Sequence, residues 1–299
     1  MLIRQKLLRR HLLLAAALQG QTPKIIPLGN AASFYVGDDW DKPFLYPLRT
    51  IKGRNLSRRH PLESLPGENT DHAWHRGLWY GHGLVNGHDF WRELGRDKTA
   101  RLVLEGQPKT SKNAVEAAFA MRPPQGPSLG TIRQRYVMAD AKDVRRIQAT
   151  IQIQANQKVP LTFGDTDDGG FGFRLSDHFR EDRGGRLRNA DGLETTKDVW
   201  GKPARWVDYF ATIDGAPAGV SIFDHPSNLR HPSQWHARGY SLCAANPFAS
   251  RSFSKNQGPD GAYTLPAGQT LKLQYAVEIY EGVRSPAEIE ASYRAWAAK

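Results

Sequence analysis

Residues 147–154, Ile-Gln-Ala-Thr-Ile-Gln-Ile-Gln, alternate apolar and polar side chains without a break. A period of two puts the apolar residues on one face of an extended strand, and no helix buries them together. Leu271 to Tyr280 does much the same, its odd positions forming the core face. Glu278 falls on the opposite face, either solvated or lining a groove. Shorter β-prone runs occur at 32–36, 44–48, 100–105, 113–121 and 131–138, with turn residues at close intervals. One helix is clear: Ser285-Pro286-Ala287-Glu288 combines an N-cap serine, proline at the first helical position and a capping-box glutamate. Ile289, Tyr293 and Trp296 follow at helical spacing and read as packing. The expected fold is all-β, a large antiparallel β-sandwich with a short C-terminal helix.

The first twenty residues stand apart. Arg4, Lys6, Arg9 and Arg10 precede the apolar run Leu12 to Ala17, and no acid intervenes. This pattern reads as an export signal, and Arg9-Arg10 loosely fits the twin-arginine type. Residues 1–20 are expected to be removed, leaving 21–299 as one β-sandwich domain that works in the periplasm or outside the cell. The leader holds four of the charges behind the formal net +11, so the mature part is moderately basic, which could attract acidic glycans. No Lys/Arg-rich run interleaves with aromatics, which excludes a nucleic-acid partner. No apolar run is long enough to span a membrane. Cys243 is the only cysteine, so an intramolecular disulfide is excluded.

The chemistry concentrates between His60 and Trp91, where five of the ten histidines fall (His60, His72, His75, His82 and His88). Glu68, Asp71, Asp89, Arg76, Asn86, Trp74 and Trp79 lie among them, and repeated Gly and Pro exclude a long helix. A loop so rich in histidine, carboxylate and aromatic side chains points to a site. Histidine exchanges protons near neutral pH, and a neighbouring carboxylate can orient the ring or take the opposite role. If a divalent metal binds instead, Glu68, His72, His75 and His82 are the candidate ligands; His-Glu-x-x-His is absent.

A second cluster, 223–248, supplies His225, Asn228, His231, His236, Arg238 and Asn246. Aromatic platforms beside such polar groups suit a pyranose, whose C–H face stacks while its hydroxyls pair. The two clusters are expected to converge on one face. A third stretch, Asp165 to Gly170, lacks EF-hand spacing and reads as a solvated turn. No nucleophile elbow, P-loop or dinucleotide fingerprint is present.

Pro66-Gly67-Glu68-x-x-Asp71-His72-x-x-His75-Arg76-Gly77-Leu78-Trp79, then Val85-Asn86-Gly87-x-Asp89-Phe90-Trp91, resembles the domain of unknown function 6807 family, often labelled "methane oxygenase PmoA". Phe223 to Asn228 and Ala245 to Phe248 are similar to its later signature. The sequence departs from the family pattern at Ala73-Trp74, where Pro-His is common, so a metal site built on that middle histidine loses a ligand. The resemblance implies an exported bacterial protein with a galactose-mutarotase-like supersandwich. It also implies a His paired with a late-strand Glu, which makes Glu278 the candidate second carboxylate.

The expected function is a carbohydrate-active enzyme that hydrolyses, eliminates or epimerises a sugar or an oxidised (keto) glycoside. His72, His75, Glu68, Asp71 and Glu278 would carry the acid–base chemistry, with no cofactor required. Arg76, Trp79, His82, Asn86, His225, Asn228, His236, Arg238 and Asn246 would hold a sugar or oligosaccharide. A non-catalytic carbohydrate-binding protein and a metal-dependent oxygenase are the alternatives.

Overall fold

The computed structural model describes residues 24–95 and 98–299; the leader read as an export signal lies outside them. The strands are, in chain order, β1 (Lys24–Leu28), β2 (Ala32–Val36), β3 (Phe44–Tyr46), β4 (Leu78–His82), β5 (Arg101–Ser111) and β6 (Ala114–Arg122). Then come β7 (Gly130–Ala141), β8 (Val144–Ala155), β9 (Leu161–Phe163), β10 (Gly169–Arg174), β11 (Arg186–Asn189) and β12 (Trp206–Ile213). The last are β13 (Ala216–Asp224), β14 (Gln234–Arg238), β15 (Leu242–Asn246), β16 (Tyr263–Leu265) and β17 (Thr270–Glu281). Three α-helices are described: α1 (Thr195–Val199), α2 (Ser250–Phe253) and α3 (Pro286–Ala297).

Seven strands form one sheet in the order β1-β2-β3-β4-β10-β15-β14, and eight form another in the order β11-β12-β13-β17-β8-β7-β6-β5. β16 and β9 make a separate two-stranded ribbon. Neighbouring strands in both large sheets run antiparallel. The inner faces share one apolar cluster, in which Phe34, Phe171 and Phe173 meet Phe119, Tyr136, Ile151 and Tyr275. Rings meet across the sandwich: Phe171 stacks on Tyr275 at 4.6 Å, and Phe34 meets Tyr136 edge-on at 5.3 Å. The architecture is therefore the large antiparallel β-sandwich with a C-terminal helix that the alternation implies.

The alternating strands behave as read. β8 buries every second residue, and Leu271, Leu273, Tyr275, Val277 and Ile279 of β17 all face the core. Ser285 and Glu288 form the reciprocal cap of α3. Its stripe packs Ile289, Tyr293 and Trp296 on Trp206, Phe223 and Ala276, on the outer face of the eight-stranded sheet. β4, β10 and β15 differ, because nearly every residue in them is buried on both sides. The stretch from His60 to Trp91 is thus not irregular throughout: its centre is β4, a middle strand of the seven-stranded sheet. A second apolar layer, Phe44, Tyr46, Trp79, Trp91, Leu242 and Ala244, lies outside that sheet. Among the described residues no helix is long and apolar enough to cross a membrane.

Candidate functional site

The outer face of the seven-stranded sheet has a floor of small residues. Gly172 of β10 pairs with Trp79 of β4 and Ala244 of β15, while Gly170 pairs with Gly81. A Cβ on Gly172 would come within 2.9 Å of the Trp79 ring and 3.0 Å of the Trp91 ring. Glycine there lets both indoles, tilted 56° to each other, approach the strands closely. Lys42 secures the roof by donating to the Trp91 carbonyl at 2.7 Å.

Arg58 organises the turn that carries the histidines. Its buried guanidinium donates to Asp71 Oδ1 (2.7 Å) and to the carbonyls of Asp71 (2.6 Å), His72 (2.8 Å) and His75 (3.1 Å). Arg174, at the end of β10, donates to the same Asp71 oxygen at 2.8 Å. One planar donor thus replaces the ladder partners that this segment lacks. His72 stands in the left-handed region, with φ of 43°. Its Nδ1 lies 3.2 Å from Asp71 Oδ1, and its side chain is 40% exposed. Burial pushes the Asp71 carboxyl up, but Arg174, His72 and Arg58 outweigh it and hold the group below its ordinary range.

Four rings stack from this turn to the floor. Tyr240 lies parallel to His72 at 5.8 Å, His72 to His75 at 5.0 Å, and His75 to Trp79 at 5.2 Å. Trp91 Nε1 donates to His75 Nε2 at 3.2 Å, so the neutral ring carries its proton on Nδ1. Burial, reinforced by Arg174 and Lys42, drives the His75 pKa well below its ordinary value. His75 is buried, and its ring is sandwiched between those of His72 and Trp79.

The β14–β15 hairpin and the loop before β10 bring further groups to the same face. His236 Nδ1 donates to the Asp167 carbonyl at 2.8 Å, and Asp167 Oδ2 lies 3.7 Å away. Burial lowers the His236 pKa; burial also raises that of Asp168, with Asp167 and Asp89 adding to the effect. Asn246 holds this turn by donating to the carbonyls of Thr166 (2.9 Å) and Asp167 (3.3 Å). Among the described residues, three histidine and carboxylate donor atoms gather within 4.8 Å of one another only at Asp167, Asp168 and His236, a donor set suited to a divalent cation. The turn is half-buried and faces His236, not simply solvated. Only Asp165 serves as a plain anchor, accepting from the amides of Arg251 and Ser252 at the start of α2 and of Gly261 in the loop before β16.

Several expected residues go elsewhere. His82 lies on the core side of β4 between Phe163 and Phe248, and its Nε2 donates to the Gly164 carbonyl at 2.8 Å. Glu68 accepts from the amides of Arg59 and His60. The metal set of Glu68, His72, His75 and His82 therefore does not converge. Asn86 ties its loop to Thr162 and Pro160. Arg76 pairs with Glu93 above the rings of Trp40 and Phe44. Glu278 is enclosed by Arg146, Arg284 and Ser292 beneath α3, on the other sheet, where it neither is solvated nor lines a groove. His225 packs on Trp296, and Asn228 pairs with Asp224 and the Gln274 backbone, again away from His72. The two clusters meet only in part, through His236, Arg238 and Asn246.

Arg58, Arg174, Asp168, Trp200 and Tyr240 are the site-face residues that sequence reasoning missed. A signal for Arg174 did exist: Gly170, Gly172 and Arg174 alternate with Phe171 and Phe173. That is a period of two in which the small residues mark a covered face.

The fold and site define an all-β sandwich with an Asp–His pair set in an aromatic layer on one outer face. By sequence, the chain belongs to a family of unknown function, DUF6807, which matches residues 31–294. No curated protein matches it. Among solved structures, it is similar to a galactose mutarotase related enzyme from Lactobacillus acidophilus. The TM-score is 0.41 at 10% identity, covering 87% of this chain and 97% of that one. A galactose mutarotase-like protein from Lactobacillus casei gives 0.41 at 11% identity, covering 87% and 100%. One from Clostridium acetobutylicum gives 0.35 at 8%, covering 88% and 99%. Similarity at this level says nothing about substrate or reaction.

Proposed function

We propose that this face is the site of an exported carbohydrate-active enzyme in which His72 exchanges protons with a glycoside or keto-sugar. One observation carries the reading: His72 is the most exposed member of the ring stack, and its Nδ1 is directed at a carboxylate pinned by two arginines. With Nδ1 held, Nε2 is left for the substrate. Asp71 keeps its charge and orients the ring. The enclosed rings of His75 and Trp79 fix the plane in which the imidazole stands, and Tyr240 and Trp74 offer the apolar surface a pyranose needs. Asp168 and His236 supply a second proton-bearing pair on the same face. Glu278 has no part in this reading, because the described geometry encloses it elsewhere.

The test is a screen of glycosides and keto-sugars, followed by His72→Ala on whichever substrate turns over. Loss of about 10²- to 10⁴-fold in kcat/KM, with an unchanged circular dichroism spectrum, is expected. Full turnover in the variant would remove the proposal. The layer of rings favours a second reading, a protein that binds sugar without catalysis. It requires affinity that survives His72→Ala and falls with Trp74→Ala.

A further inference from the structure

We propose that Arg238 receives the carboxylate of an acidic sugar, which makes a uronate-containing glycoside the substrate class. This rests on the reading of the face as a sugar site. The cations around the floor are otherwise paired. Arg58 and Arg174 share Asp71, Arg76 is held by Glu93, Arg92 by Asp89, and Lys42 by the Trp91 carbonyl and Glu93. The Arg238 guanidinium has neither an ion pair nor a hydrogen bond among the described residues. It is nonetheless held in place. Its central carbon lies 5.8 Å from the Trp200 ring centroid and 5.4 Å from that of Tyr240. Two rings that fix a half-buried cation also remove much of its water, and the planar fork then lacks the partner its geometry suits best, a carboxylate.

The position is right for a substrate contact. Arg238 is two residues from His236 on β14, and its other neighbour, Tyr240, is the ring stacked on His72. A hexuronate carries its carboxylate on the carbon across the ring oxygen from the anomeric carbon. Anchored at Arg238, it lays its ring along Tyr240 and turns the anomeric side toward His72.

Isothermal titration of the full-length protein with the methyl glycosides of glucuronate, galacturonate, glucose and galactose tests this, with methyl galactoside 6-sulfate as a second anion. The expected result is uronate affinity at least about tenfold above the neutral parent. Arg238→Gln should abolish that difference, and Arg238→Lys should keep part of it. Thermal melting of both variants checks that they fold. Equal binding of uronate and neutral sugar, or a uronate preference that survives Arg238→Gln, would overturn the inference and leave the sugar reading standing. A 6-sulfate that matches the uronate would overturn the assignment to a carboxylate. Binding of none of the five would overturn both readings.

Discussion

The two sheets treat their outer faces differently. Strands β7 and β8 of the eight-stranded sheet alternate buried and accessible residues, and apart from the end beneath α3 their outer face is polar and wet. Strands β4, β10 and β15 of the seven-stranded sheet are enclosed from both sides, roofed by Trp91 and the segment that carries His72. The histidines divide in the same way. None of the described histidines lies in a strand of the eight-stranded sheet, whereas β4 holds His82 and β14 holds His236. One sheet serves as a scaffold with an ordinary surface. The other gives up that surface to build a chemical environment.

Breaking the roof should have the largest effect. Arg58→Ala leaves Asp71 short of a partner, the Asp71 and His75 carbonyls without this donor and the His72 carbonyl with only the His75 amide, and a loss of about 3–5 kcal/mol in urea unfolding is expected. Acid should reach the same sheet next. Burial lowers the His82 pKa to about 4, from an ordinary value of 6.5. Between these values the unfolded chain binds the proton and the folded chain does not. Stability therefore falls as pH drops from about 6.5 to 4, by roughly 3 kcal/mol for this group, and His75 acts in the same sense. Urea midpoints at pH 7.5 and 4.5 check it, and His82→Gln should flatten the dependence.

Gly172→Ala forces the Trp79 and Trp91 rings off the floor, with an expected cost of about 1–3 kcal/mol and a changed near-ultraviolet dichroism. Arg133→Ala, on the wet face, removes a 3.1 Å ion pair to Glu116 from an exposed side chain. It should move stability by less than about 0.5 kcal/mol. If that variant cost as much as Gly172→Ala, the contrast between the faces would fail.

The same contrast explains what could be read from the sequence. β8 and β17 were legible because half of each strand meets water or a polar layer, which imposes the period of two. β4, with Leu-Trp-Tyr-Gly-His, and β15, with Leu-Cys-Ala-Ala-Asn, have no wet face and no alternation to read. The site sits on those strands, so its residues could be picked out by chemistry but not sorted by side. His72, Asp71, His236 and Arg238 lie on the outer face. His82, the residue next to Gly81, points inward because a strand reverses direction at each residue. Glu278 failed for another reason: its face was correctly opposite the core, but α3 and two arginines occupy that face.

His72 stands at a backbone angle where an imidazole is an unusual choice. At φ of 43°, glycine or asparagine rests more comfortably, and a histidine costs on the order of 1 kcal/mol. A lineage selected for robustness alone would drift toward one of those residues, so His72→Gly should melt no lower than the parent. The imidazole at this turn is therefore held against the preference of the main chain beneath it, a conformational cost that the proton exchange proposed for His72 would account for.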